Sequence, residues 1–128
     1  MKRADVDLFE KLVAQLEGFH EELSVLVKKA PGDAVNAFKL KFINDVVRQL
    51  NGLLGQKYLP FPDFETFSLD DVPSTSDVSF ILSQYIECAE KFRADRVEEG
   101  SFGEWYWAVD NGTGVRSRAP KHLTGKRR

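Results

Sequence analysis

Between Phe9 and Ala30 the apolar residues Phe9, Leu12, Leu16, Phe19, Leu23, Leu26 and Ala30 recur at alternating intervals of three and four. That spacing places them along one stripe of a helix and rules out a strand, whose faces alternate every second residue. A stripe of this kind is stable only against something else apolar, so the chain has to build helix upon helix. The flanks agree with the period. Asp5 and Asp7 suit the positive end of the helix dipole, Lys28 and Lys29 suit the negative end, and Pro31-Gly32 stops the run.

A second helix is expected with Asp33 as its cap. Val35, Phe38, Phe42, Val46, Leu50 and Leu53 form its main stripe, and Leu40, Ile43, Val47 and Leu54 widen it. A helix apolar over so wide an arc needs cover on more than one side, and these four widening residues are assigned, with Trp105 and Trp107, to a contact with a partner. The connection of about four residues makes the first two helices an antiparallel hairpin, and Gly52 and Gly55 mark the end of the second.

From Gln56 to Ser76, Pro60, Pro62 and Pro73 prevent a continuous helix, so an extended connection is expected, pinned by Phe61, Phe64 and Phe67. Ser74 with Asp77 three residues on resembles a capping box. The stripe Val78, Leu82, Tyr85, Ala89 and Phe92, flanked by Ile81 and Cys88, carries a third helix to about Val97. Beyond Gly100 the period changes to two. Trp105, Trp107 and Val109 alternate with Tyr106, Ala108 and Asp110, and Asn111-Gly112 is a hairpin signal.

The fold class read from this pattern is mainly α: a three-helix antiparallel bundle with an extended Pro/Phe-rich connection and a small C-terminal β-hairpin. The chain divides into a bundle over residues 1–100, an aromatic hairpin over 101–119 and a basic disordered tail over 120–128. At 128 residues there is material for one core.

Charge is unevenly placed. Net charge is -2, yet the last eighteen residues hold Arg116, Arg118, Lys121, Lys126, Arg127 and Arg128 with no acid, which leaves twelve basic against twenty acidic residues before them. Six cations without acids can bind phosphates, so nucleic acid is a possible partner of this tail, with Trp105, Tyr106 and Trp107 available for stacking. The single cysteine, Cys88, excludes an internal disulfide and points to a reducing compartment, the cytoplasm by default. No apolar run approaches the ~20 residues of a membrane-crossing helix, so no membrane partner is expected.

Catalytic motifs are sparse. His20 and His122 stand at no metal-binding spacing from Cys88 or the acids, so neither a metal nor another cofactor is expected. The acids Asp63, Glu65, Asp70, Asp71 and Asp77 read as turn and helix-start residues rather than a cation site. Glu87 and Glu90 resemble half of the paired-carboxylate motif of all-alpha nucleotide pyrophosphohydrolases, but no second acidic pair follows, and a solvated helix face is the reading kept. Arg116 and His122, in an R-x5-H spacing, resemble the active-site motif of HEPN-type ribonucleases. That resemblance implies an arginine stabilising phosphate charge and a histidine moving protons; it covers two residues, with Pro120 between them where the family has a helix. Ample apolar stripes beside an empty catalytic inventory lead to the expectation of a non-catalytic interaction or accessory subunit, joined to a protein partner or to a second copy.

Overall fold

The computed structural model describes residues 1–110, 112 and 114–121. Its elements run α1 (Arg3–Lys29), α2 (Ala37–Tyr58), α3 (Thr75–Arg96), β1 (Val97–Glu99), β2 (Trp105–Trp107) and β3 (Val115–Ser117), with a 3-10 turn at Leu69–Asp71 between α2 and α3. The three helices form the expected mainly α bundle, and the small antiparallel sheet stands at its C-terminal side. That sheet has three strands in the order β1-β2-β3, one more than the expected hairpin, because α3 passes directly into β1. A bundle boundary at residue 100 therefore cuts through the sheet rather than before it.

The stripe of α1 packs as its spacing requires: Phe9, Leu12, Leu16 and Leu23 are buried. So does that of α3, where Val78, Leu82, Tyr85, Ala89 and Phe92 all face the core. Ser74 caps α3, its hydroxyl accepting the Asp77 N–H at 3.1 Å. For α2 the cap is Asn36, whose side-chain oxygen accepts the Lys39 N–H at 2.8 Å, so the helix starts four residues after Asp33 and the connection is longer than expected. Asp33 has another task. Its carbonyl accepts the Thr75 N–H at 2.7 Å, while the Thr75 hydroxyl reaches the carbonyls of Ala30 and Pro31, so the α1–α2 turn is stitched to the start of α3. Regular helix in α2 breaks at Gly55, whose φ of 68° is a left-handed conformation open to glycine.

The Pro/Phe-rich connection is held by polar groups as well as rings. Asn44, buried on α2, donates to the Phe67 carbonyl and accepts the Phe67 N–H, both at 2.9 Å, so the connector borrows a strand-like pair of bonds from one side chain. One pair of turns further, Asn51 donates to the Glu65 carbonyl and accepts the Tyr85 hydroxyl at 2.6 Å. Burial pushes the Tyr85 phenol up to about 12, which keeps it a donor. Of the three phenylalanines only Phe67 is fully buried, packed edge-on to Phe64, whereas Phe61 lies over the exposed Phe80.

Both arcs expected on α2 contribute to the core: Val35, Val46 and Leu50 of the main stripe are buried as expected, but the four widening residues assigned to a partner are buried with them. Leu40, Ile43, Val47 and Leu54, assigned to a partner, are buried in this chain's own core, together with Trp107. Phe38 and Phe42 of the supposed core stripe are 72% and 46% exposed. Both arcs are apolar and both are covered over most of the helix, so the uncovered part is confined to the N-terminal rings of Phe38 and Phe42.

Candidate functional site

Helix α1 has two different sides, one against α3 and the sheet, one against α2, and the chemistry of the molecule is divided between them.

On the α3 side lies a buried charge network. Arg93 projects from α3 with no exposure at all. Its guanidinium donates to both carboxylate oxygens of Glu10 on α1, at 2.8 and 2.7 Å, to Glu90 Oε2 at 3.2 Å and to the Ser117 hydroxyl of β3 at 2.9 Å. The plane of Arg93 also lies 5.6 Å from the ring centre of Phe9 and 5.5 Å from that of Trp107, so cation-π attraction adds to the pairing. Trp107 itself stacks edge-on to Phe9, 5.2 Å between ring centres, and its indole N–H donates to Glu10 at 2.9 Å. This is how the small sheet docks on the bundle: register pairs Val97 and Val115 with Trp107, and the indole enters the seam between α1 and α3.

The network continues outward. Arg118 donates to Glu90 Oε2 at 2.7 Å and to both oxygens of Glu17 at 3.2 and 2.9 Å. Lys121 donates its backbone N–H to Glu90 Oε1 at 3.3 Å and places its ammonium 3.6 Å from Glu17. Burial alone would raise the three carboxyl groups. The hydrogen bonds and charge of Arg93 around Glu10, of Arg118 and Arg93 around Glu90, and of Arg118 and Lys121 around Glu17 outweigh it and hold all three below their ordinary value. Arg118 is correspondingly raised, first by its bonds to Glu17.

Two sequence expectations change here. Glu90 is no solvated face residue, because it is fully buried and meets three donors. The tail does not begin at Pro120: that residue is buried and the chain through Lys121 is tied to the bundle. The cations named for nucleic acid thus divide. Arg118 and Lys121 are engaged with Glu17 and Glu90, and Arg116, opposite Tyr106 in the β2–β3 pair, lies 5.8 Å from its ring centre. Lys126, Arg127 and Arg128 lie outside the described residues, as do Asn111 of the hairpin signal and His122 of the R-x5-H pair. Cys88 is half-buried with its thiol raised by burial, which keeps it protonated and unreactive at neutral pH. Among the described residues no three metal-ligating side chains converge, and no helix is long and apolar enough to cross a membrane.

Sequence reading missed Glu10, Glu17 and Arg93. A signal existed: Glu10 and Glu17 are seven apart and flank Phe9 and Leu16, and Arg93 and Glu90 flank Phe92 and Ala89, so each lies at the border of an apolar stripe.

On the α2 side the molecule is open. A groove of about 380 Å³ runs between α1 and α2, lined by Phe19, Leu23, Val35, Phe42 and Ile43, with the Glu22–Lys39 ion pair at 2.9 Å on its rim. A second hollow of about 210 Å³ continues it past Phe19 and Phe42 toward Leu8, Lys11 and Asp45. Phe38 and Phe42 stand edge to face above it, 5.0 Å between ring centres. Trp105, the remaining residue assigned to a partner, stands on β2, partly buried against the core.

Comparison with protein families, with curated proteins and with solved structures finds no match to this chain.

Proposed function

We propose that this chain is a non-catalytic interaction subunit of a cytoplasmic assembly, and that a second copy of itself occupies the α1–α2 face. The exposed Phe38–Phe42 pair over an apolar groove carries this reading. Large rings left 72% and 46% exposed beside a continuous hollow have the character of a contact surface rather than of an ordinary solvated helix.

A like partner is favoured by the distribution of charge. Phe42 sits midway between Lys39 and Asp45 on α2, and along α1 the groove runs from Lys11 to Glu22. Within one copy Lys39 pairs with Glu22 and Asp45 with Arg48, both at the exposed surface, and a two-fold axis near Phe42 brings Lys39 of one copy toward Asp45 of the other and Lys11 toward Glu22, extending these pairs across the contact as an isologous dimer requires. The half-buried, unreactive Cys88 fits a reducing compartment. Nucleic-acid binding through the basic tail is the alternative and has less support, because Arg118 and Lys121 are neutralised within the chain. A ribonuclease of the HEPN type has no support beyond a spacing.

Light scattering after size exclusion, over a hundredfold range of concentration, tests the pairing. The expected result is a mass twice the 14.5 kDa of the chain, falling to one in Phe38→Ser/Phe42→Ser with unchanged helical circular dichroism. A monomer at every concentration, or a dimer indifferent to the double substitution, overturns it.

A further inference from the structure

We propose that residues 115–121 form a charge-latched strap over the α1–α3 seam, able to open while the helices stay folded. The strap is β3 followed by Arg118, Ala119, Pro120 and Lys121. It is joined to the bundle differently from the α2–α3 connector. The connector between α2 and α3 is fixed by buried amide pairs to Asn44, whereas beyond Ser117 the strap is fixed by ionic bonds, from Arg118 and Lys121 to Glu17 and Glu90, and by the buried ring of Pro120. Arg118 is 43% exposed, so solvent ions reach the latch, while Arg93 beneath it is sealed. At the entry to the strap, Gly114 passes so close to Trp107 and Tyr106 that a Cβ there would stand 3.1 Å from both.

Charge balance makes the two states chemically distinct. With the strap closed, three acids, Glu10, Glu17 and Glu90, meet three cations, Arg93, Arg118 and Lys121. Lifting the strap removes two of the cations and leaves the seam with two uncompensated negative charges, next to the acids Glu21 and Glu87 and His20, which line the hollow beside Lys121. It also strips β2 of its β3 neighbour. The open state is therefore an anionic groove beside a free strand edge, a surface that takes a basic extended segment, the same chemistry as the strap it lost. This device is independent of the dimer proposed above, since it lies on the other side of α1.

Amide hydrogen exchange on the full chain at neutral pH tests it, with Arg118→Gln and, as a second surface substitution at the other half of the latch, Glu17→Gln. Amides of residues 115–119 and 121 are expected to exchange at least about tenfold faster in each variant, with α2 amides unchanged. Raising NaCl to about 1 M is expected to accelerate the same amides in the unsubstituted chain and to change them less in Arg118→Gln, where only the Lys121–Glu17 pair of the latch remains. Unchanged strap protection in both variants, or acceleration shared equally by α1, α2 and α3, overturns the proposal, because the strap then opens only with the whole fold.

Discussion

The two sides of α1 answer the same physical demand in opposite ways. Against α3 the polar atoms at the centre of the seam are satisfied by one another: Arg93 and Glu90 have no exposure and every oxygen of Glu10 and Glu90 meets a donor. Against α2 the seam is apolar and open, with phenylalanines standing in water. A buried charge network tolerates no imperfection, since a charge left without its partner in a dry site is more costly than the pair is worth. An apolar groove tolerates a missing neighbour at modest cost. The closed side is thus fitted to hold the protomer together, and the open side to accept another molecule.

The largest effect is expected where the closed side is broken. Arg93→Ala leaves Glu10 and Glu90 facing one another without their shared cation, and urea unfolding is expected to register a loss of about 3 to 5 kcal/mol. Next comes the test of which arc of α2 is core. Leu40→Ala, at 1% exposure, is expected to cost about 2 to 5 kcal/mol of protomer stability; if Leu40 instead faced a partner, the loss would disappear on dilution.

A third expectation concerns acid. Because Glu10, Glu17 and Glu90 are held below their ordinary 4.5 in the fold, the unfolded chain takes up protons first as pH falls. The network's contribution is full above that value and is lost as pH drops through the lower folded values. Midpoints of urea unfolding between pH 7 and pH 3 are expected to be flat and then to fall below about pH 4.5, and less steeply in Glu17→Gln. The smallest effect belongs to the open rim: Lys39→Gln, breaking an exposed pair with Glu22, is expected to change stability by less than about 1 kcal/mol. A larger loss there would show that the rim, too, belongs to the protomer's own support.

Much of the fold was readable because it depends on local periodicity. The stripes of α1 and α3 predicted their buried residues, Ser74 announced the start of α3, and the alternation around Trp105–Trp107 announced a strand, although Trp107 was assigned to a partner rather than to the core it enters. What was read wrongly has one cause. On α2 the apolar arc is wide, and nothing within the helix says that its widening residues will be covered while Phe38 and Phe42 at its N-terminal end will not; likewise a glutamate at the edge of a stripe reads as solvated until an arginine from another element is placed beside it. Asn36 rather than Asp33 caps α2 because the turn is occupied by its bonds to Thr75, forty-two residues downstream of Asp33.

The order of amino acids determined where helices and strands form, since spacing, caps and glycine or proline stops act within a few residues of the positions they control. Tertiary structure alone decided that Glu10, Glu17 and Glu90 meet Arg93, Arg118 and Lys121, and that Phe38 and Phe42 stay outside. Those outcomes depend on contacts between residues as far as 101 positions apart, whose energy exists only once the chain has brought them together and excluded water.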